Sequence, residues 1–382
     1  QEECPFHYIC MVRFSIICSL IILVVWTSCQ SQHSTSANPI TSKLKLPQGF
    51  VIEQYAQDIK GARSMALGTN GTLFVGTRGG EVYALIDDDK DYVSDRVIVV
   101  ASGLNSPNGV AFKNGDLYVG EIHRIIKFEN IESRLNDMPE PVVVYDKYPE
   151  ETHHGYKYID FGPDGKLYTP VGAPCNVCEK KNPVFSSITR INDDGSNFEI
   201  VAHGVRNSVG FDWHPKTGEL WFTDNGRDLL GDDIPHDELN RMTQIGQHFG
   251  FPYCHQGDLP DPDFGEKRKC NEFVPPVQKL NPHGASLGML FYSGDMFPKE
   301  YKNQILICEH GSWNRSKKIG YQVSLVRLDG NKSTSFKPFV EGWLLEDEDI
   351  LGRPVDLLQL PDGSVLVSDD YAGIIYRITY KG

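Results

Sequence analysis

From residue 43 to residue 382, short apolar runs alternate with polar ones, and one phrase recurs six times. Each copy has a polar residue, an apolar strand, a tight turn, a second apolar strand, then Gly or Asp. The copies open at Arg63 (RSMALGTNGTLFVGTRGG), Asn108 (NGVAFKNGDLYVGEIHR), His154 (HGYKYIDFGPDGKLYTPVGA), Asn207 (NSVGFDWHPKTGELWFTDNGRD), His283 (HGASLGMLFYSGDMFPKEYKNQILICEHGS) and Arg353 (RPVDLLQLPDGSVLVSDDYAG). Two alternating runs about an Asn-Gly, Asp-Gly or Lys-Thr-Gly turn are the mark of a hairpin. Third strands follow at 81–86, 125–128, 187–191 and 374–378. The only helical expectation is a short one over 236–244. Repeated antiparallel units of this size protect their edges by closing radially. The pattern therefore predicts an all-β chain, a six-bladed β-propeller of four-stranded antiparallel blades over residues 43–382.

In such a blade the innermost strand starts at the same face to which the second strand returns. Residues ahead of the first strands form a ring around that mouth: Arg63, Asn108, His154, Arg206 with Asn207, His283 and Arg353. The ends of the second strands add Arg78, Glu121, His123, Asp224 to Asp228, Trp313 with Arg315, and Asp369 with Tyr371. A lone arginine on a loop is ordinarily just solvated. A ring polar at every blade and rich in Arg and His instead describes a concave site for an anionic ligand.

Composition narrows the picture. The formal net charge of −14 excludes a nucleic-acid or anionic-membrane surface as the main partner, since phosphate binding needs a basic face. Arg13 followed by the apolar run from Phe14 to Trp26 reads as an export signal, and Cys29 after Thr27 and Ser28 resembles a bacterial lipoprotein processing site. Residues 1–29 are thus expected to be a leader and residues 30–42 a polar tether. The expected location is periplasmic or membrane-anchored, the membrane being reached only through a lipid anchor. Export permits disulfides. Cys175 with Cys178 and Cys254 with Cys270 are the expected pairs, leaving Cys308 buried and free. Glu179 stands where haem attachment would need His, and a second CxxC for zinc is absent.

The segments GVRNSVGFDWHP (204–215), TDNGRDLLGDD (223–233), DELNRMTQIGQHFGFPYC (237–254) and HGSWNRSKKIGY (310–321) resemble the soluble pyrroloquinoline-quinone (PQQ) sugar dehydrogenases, especially the sorbosone-dehydrogenase branch. The resemblance spans essentially the whole mature chain. It implies PQQ at the mouth, calcium beneath it, and oxidation of a sugar hydroxyl. It makes His154 the general base, a role that suits a neutral imidazole. Arg206 and Asn207 match a pair that stabilises charge developing on the quinone oxygens. Arg353 matches a contact to a cofactor carboxylate. Arg63, Arg315, Asn225 and Trp313 are further cofactor candidates. Asp224 and the backbone carbonyls of Gly226 and Arg227 are the implied calcium ligands, with Glu238 at a second, structural calcium.

Three departures stand out. Ala173 occupies a position where some relatives carry an Asp that orients the base, so either another group, such as His153 or Glu121, holds His154 or the base is less well tuned. Val355 replaces a second basic residue near Arg353. The quinone-contacting lysine of some relatives has no clean counterpart. The substrate is expected to be a small-molecule sugar, and an external electron acceptor, a cytochrome or a quinone, is needed because no haem motif is present. The competing readings are a calcium-dependent propeller hydrolase (lactonase-like), which would want axial carboxylates in place of arginines, and a non-catalytic carbohydrate-binding propeller. No GxGxxG strand-to-helix unit supports a nicotinamide enzyme.

Overall fold

Each recurring phrase becomes the inner hairpin of one blade. The computed structural model describes residues 38–382. The expected leader, and the tether up to residue 37, lie outside them. Blade 1 runs Ala62–Leu67, Leu73–Thr77, Val82–Ile86 and Arg96–Ala101; blade 2 runs Gly109–Lys113, Asp116–Gly120, Ile125–Phe128 and Val142–Tyr145. Blade 3 holds Asp160–Phe161, Leu167–Val171, Ser187–Ile191 and Glu199–His203; blade 4 holds Phe211–Trp213, Leu220–Asp224, His236–Met242 and Gln278–Pro282. Blade 5 is Ser286–Phe291, Ile305–Glu309, Gln322–Asp329 and Lys332–Val340. Blade 6 takes Pro354–Gln359, Val365–Asp369 and Ile374–Tyr380 from the end of the chain and its outer strand, Phe50–Ala56, from the beginning. The six-bladed propeller is therefore the fold, and strand exchange between the two ends closes its ring.

Apolar packing explains the shape. Second strands such as Leu73–Thr77 and Val365–Asp369 are buried along their whole length, as expected of strands covered on both faces. One apolar cluster fills each gap between neighbouring sheets: Phe74 with Leu117, Tyr118 with Leu167, Tyr168 with Phe222, Trp221 with Ile307, Val323 with Tyr376, and Leu366 with Leu73. Side chains stitch the inner strands together. Ser64 Oγ donates to the Asn108 carbonyl (2.9 Å), Asn108 Nδ2 to the Lys157 carbonyl (2.9 Å), and Thr223 Oγ1 to the Leu287 carbonyl (2.5 Å). Asp356 accepts from Met65 N across the closing seam at 3.0 Å.

Two expectations need correction. Residues 236–244 do not form a helix: His236–Met242 is the third strand of blade 4, its residues 238–242 paired one for one with Leu220–Asp224. Its run of Asp, Glu, Asn and Arg has low strand propensity, but Leu239 and Met242 fill the interblade gaps and backbone N–H groups satisfy the buried Asp237 and Glu238. Packing overrides propensity there. Blade 3 also carries a fifth strand, Gln247–His248, which pairs in parallel with Glu199–His203 as the long connection within blade 4 reaches back. Among the cysteines, the sulfurs of Cys175 and Cys178 and of Cys254 and Cys270 lie at disulfide distance, with Cα separations of 6.1 and 5.3 Å, and Cys308 is buried and free. Residues 38–42, at the end of the expected tether, lie against the propeller: Asn38 bonds Gln54 and Ile40 packs on the core between blades 5 and 6. No helix among the described residues is long and apolar enough to cross a membrane.

Candidate active site

His154 sits ahead of the first strand of blade 3 with a left-handed backbone, φ +52. That conformation is uncommon for a residue with a Cβ, though His tolerates it better than most. It turns the imidazole so that Nδ1 faces the Ala173 carbonyl at 2.8 Å. A carbonyl only accepts, so Nδ1 carries the proton and Nε2 is left with its lone pair. Neither expected substitute orients the base. Glu121 is taken up by Arg124 and by Asn105 N, while His153 merely stacks on His154 with ring centroids 4.1 Å apart. Burial, then the Arg206 charge and His153, push the His154 pKa down to about 2, so the ring is neutral.

Arg206, Asn207 and the segment from Asp224 to Asp228 assemble beside it. The Arg206 guanidinium is buried and donates from Nε to the Asn176 carbonyl (2.8 Å), from NH1 to the Asn225 carbonyl (3.1 Å), and from NH2 to Asn176 Oδ1 and Asp228 Oδ2 (both 2.9 Å). Asp224 receives the backbone N–H groups of Arg206 and Asn207 at 2.8 and 2.6 Å. Asp237, buried, accepts from Gly226 N at 3.0 Å, and Glu238 accepts from Gln256 N at 2.6 Å. Arg227 points away from the mouth, into an ion pair with Asp261, which also bonds His255.

A small cavity of about 10 Å3, room for one water or ion, is lined by Asp224, Asn225, Gly226 and Glu238, with Arg206 and His255 beside them. Asn225 Oδ1 is buried there with no hydrogen-bond partner among the described residues. Burial pushes the Asp224 carboxyl up to about 7, and burial together with Asp224 pushes Glu238 up to about 8. Hard oxygen donors, an orphaned amide oxygen and under-compensated carboxylates form a donor set that fits calcium.

Across the mouth a second assembly joins blades 1, 5 and 6. Asp370 accepts from Arg63 NH1 and Arg78 NH1, both at 3.1 Å, and from His310 Nε2 at 2.8 Å. Burial raises its pKa, but the His310 bond and the two arginines outweigh that and hold the carboxylate well below its usual range. Arg63 lies 5.4 Å over the Tyr156 ring, two residues from His154, which links the two assemblies. Arg353 donates to the carbonyls of His310 and Gly311 and makes no ion pair among the described residues. Its guanidinium also lies 5.5 Å over the Tyr321 ring, and a half-buried cation with no carboxylate partner fits an anionic ligand. Arg315 is not free in this way. It bonds Asp232 and Asp233 and, with Asn314 on Asp228 and His283 on the Gly231 and Ile234 carbonyls, holds the loop after blade 4's second strand in place. Trp313 stands 71% exposed on the rim.

The model of the family described as Glucose / Sorbosone dehydrogenase matches residues 113–377. The chain belongs to that family. An uncharacterised protein of Borreliella burgdorferi is 36% identical over 367 residues, covering 92% of this chain and 94% of that protein. The aldose sugar dehydrogenase of Escherichia coli is 26% identical over 199 residues, 50% of this chain and 46% of that protein. Among solved structures, the holo PQQ domain of pyranose dehydrogenase from Coprinopsis cinerea superposes with a TM-score of 0.77 at 17% identity, covering 88% of this chain and 97% of that one. The PQQ-bound aldose sugar dehydrogenase of Streptomyces coelicolor gives 0.63 at 16%, covering 88% and 99%. These structural likenesses speak to the fold.

In this glucose/sorbosone dehydrogenase-family chain, sequence reasoning missed Asp370, which gathers Arg63 and Arg78, because its neighbours Asp369 and Tyr371 marked the strand end. Asp369 instead shapes the turn, accepting from Arg353 N and Tyr371 N. Asn176 was missed too. The only signal was its place between two cysteines.

Proposed function

We propose that this chain is a PQQ- and calcium-dependent dehydrogenase that oxidises a sugar hydroxyl of the aldose or sorbosone type. The observation that carries the reading is His154, a neutral imidazole with its Nδ1 proton committed to Ala173 and its Nε2 free beside buried Arg206. Arg353, Arg63, Arg206 and Asn207 would hold PQQ, while Asp224, Asn225, Glu238 and the Gly226 and Arg227 carbonyls would hold calcium. PQQ supplies a two-electron acceptor for the hydride leaving the sugar carbon, and calcium supplies charge that polarises it.

His154 Nε2 accepts the proton of the sugar hydroxyl, which keeps positive charge from building on the sugar oxygen. Arg206 offers positive charge where the negative charge gathers. The low pKa of His154 makes it a weak base in the ligand-free mouth; an anionic ligand near Arg206 and Arg353 offsets those cations and strengthens it. Trp313 and Tyr371, both exposed on the rim, would present flat faces to a sugar ring. The protein is proposed to be exported and to hand its electrons to a separate carrier. Cys175–Cys178 and Cys254–Cys270 would be disulfides there.

The test is titration of the apo-protein with PQQ and calcium, followed by dye reduction across a panel of aldoses. The expected result is saturable PQQ binding and turnover, with His154→Ala lowering kcat by about 100- to 10,000-fold while PQQ still binds. Failure to bind PQQ in the presence of calcium overturns the proposal in favour of a hydrolase or a binding propeller.

A further inference from the structure

Asn176 lies in the tight loop Cys175–Asn176–Val177–Cys178, between the second and third strands of blade 3. It makes four hydrogen bonds, all to blade 4. Its carbonyl accepts from Arg206 Nε at 2.8 Å, and its Oδ1 accepts from Arg206 NH2 at 2.9 Å and from Asp228 N at 2.8 Å. Its Nδ2 donates to the Asp228 carbonyl at 3.1 Å. One residue thus holds both the buried guanidinium and the acid that pairs with it, Asp228 Oδ2 to Arg206 NH2 at 2.9 Å.

The arithmetic of donors makes this consequential. Four of the five guanidinium N–H groups are engaged by Asn176, Asp228 and the Asn225 carbonyl, which leaves a single N–H, on NH1, for anything entering the mouth. The direction of that last donor is set by the other four. Two of these come from a loop without strand pairing, where backbone that is not held by other contacts loses conformational entropy when fixed. The Cys175 and Cys178 sulfurs at bonding distance flank Asn176, and both cysteines are half-buried, within reach of a small thiol. Just beyond, Glu179 accepts from Tyr253 Oη (2.6 Å) and from Lys267 Nζ (2.5 Å), which pins the far side of the loop.

We propose that Asn176 is the positioning residue of Arg206, presented by a Cys175–Cys178 staple, and that reduction of the staple by a dithiol releases Arg206 and Asp228 together. In that step two electrons and two protons pass from the dithiol, which becomes a cyclic disulfide, to the two cysteine sulfurs, which become thiols. The catalytic consequence rests on the dehydrogenase reading above; the positioning itself does not.

The experiment reads the two apart. Full-length mature protein labelled with 15N-arginine is observed by NMR for a slowly exchanging Arg206 Nε–H signal, assigned by its absence in Arg206→Lys. In the same samples kcat and KM for the best sugar are measured with PQQ and calcium. Expected are faster exchange of the signal in Asn176→Ala, which keeps the carbonyl that accepts from Nε but loses the Oδ1 and Nδ2 bonds that hold it in place, loss of the signal after dithiothreitol, kcat down about 100-fold, and KM for the sugar unchanged. Asn176→Asp keeps the acceptor for Arg206 and is expected to restore the signal and most of kcat. A signal that exchanges as slowly in Asn176→Ala and after dithiothreitol as in the untreated wild type overturns the proposal, whatever the turnover. Faster exchange or loss of the signal with kcat intact overturns the positioning role. If the wild-type protein oxidises no sugar, the dehydrogenase reading fails and the signal alone decides for or against Asn176.

Discussion

At the scale of single residues, the site is organised by what each polar group is already doing. Arg63, Arg206 and Arg315 all reach the mouth, yet each is tied to a carboxylate, whereas Arg353 has carbonyls and the Tyr321 ring but no carboxylate among the described residues. Asp370 therefore matters more than its place in the sequence suggests. Asp370→Asn leaves Arg63 buried without compensation and is expected to destabilise the fold by about 3–5 kcal/mol, read as a drop in the denaturation midpoint. Arg78, on the rim, should tolerate Ala far better, because its side chain is 45% exposed and already screened by water. Gly172 is a second sensitive point. A Cβ there would come within 2.6 Å of His154 Cβ and 2.7 Å of its carbonyl. Gly172→Ala should displace the base and lower kcat by about 100-fold, with the melting temperature less affected than in Asp370→Asn.

At the scale of elements, the inner hairpins were legible because each has apolar alternation around a Gly-containing turn, and their residues form the first and second strands of every blade. The ring of mouth residues followed from that register. The outer strands were harder. Arg96–Ala101 and Val142–Tyr145 carry exposed valines, and their pairing is decided by the strand inside them. His236–Met242 was misread as helical because its buried Asp237 and Glu238 are satisfied by Gly226 N, Ser286 N and Gln256 N from elsewhere, contacts invisible to a local pattern. Asn176 was hidden for the same reason, since its partners lie 30 and 52 positions away. That strand also carries a prediction. Glu238 has its pKa raised to about 8, so it favours the protonated form in the fold, and the stability it costs when ionised appears as pH rises from its unfolded value toward 8. Calcium should therefore raise the melting temperature more at pH 8 than at pH 5, and Glu238→Gln should remove most of that difference in a thermal-shift series.

At the scale of the whole molecule, two sets of buried groups pull stability in opposite directions. His154, His248 and His310 have pKa values lowered by burial, to about 2, 4 and 4. The unfolded chain takes up protons at these positions below about pH 6.5, so they cost stability as pH falls. Asp160, Asp212 and Asp356, on the innermost strands, have theirs raised by burial to about 6, 7 and 7. The fold holds their protons longer than the unfolded chain does, so stability is lost as pH rises from about 4 to 7. The melting temperature of the calcium-free protein is expected to peak between about pH 4 and 6.5, and Asp356→Asn should flatten the alkaline side of the curve. A monotonic rise to pH 8 would contradict this account of the axial carboxylates.

The pairing of Phe50–Ala56 with Ile374–Tyr380 puts the first strand to leave the ribosome against the last. Blades 1 to 5 can each form as the chain emerges, but residues 50–56 must wait, unpaired, for more than three hundred residues to follow. A ring that cannot lock until its final strand arrives makes the two ends of the propeller interdependent: removing either Phe50–Ala56 or Ile374–Tyr380 leaves the other without its partner.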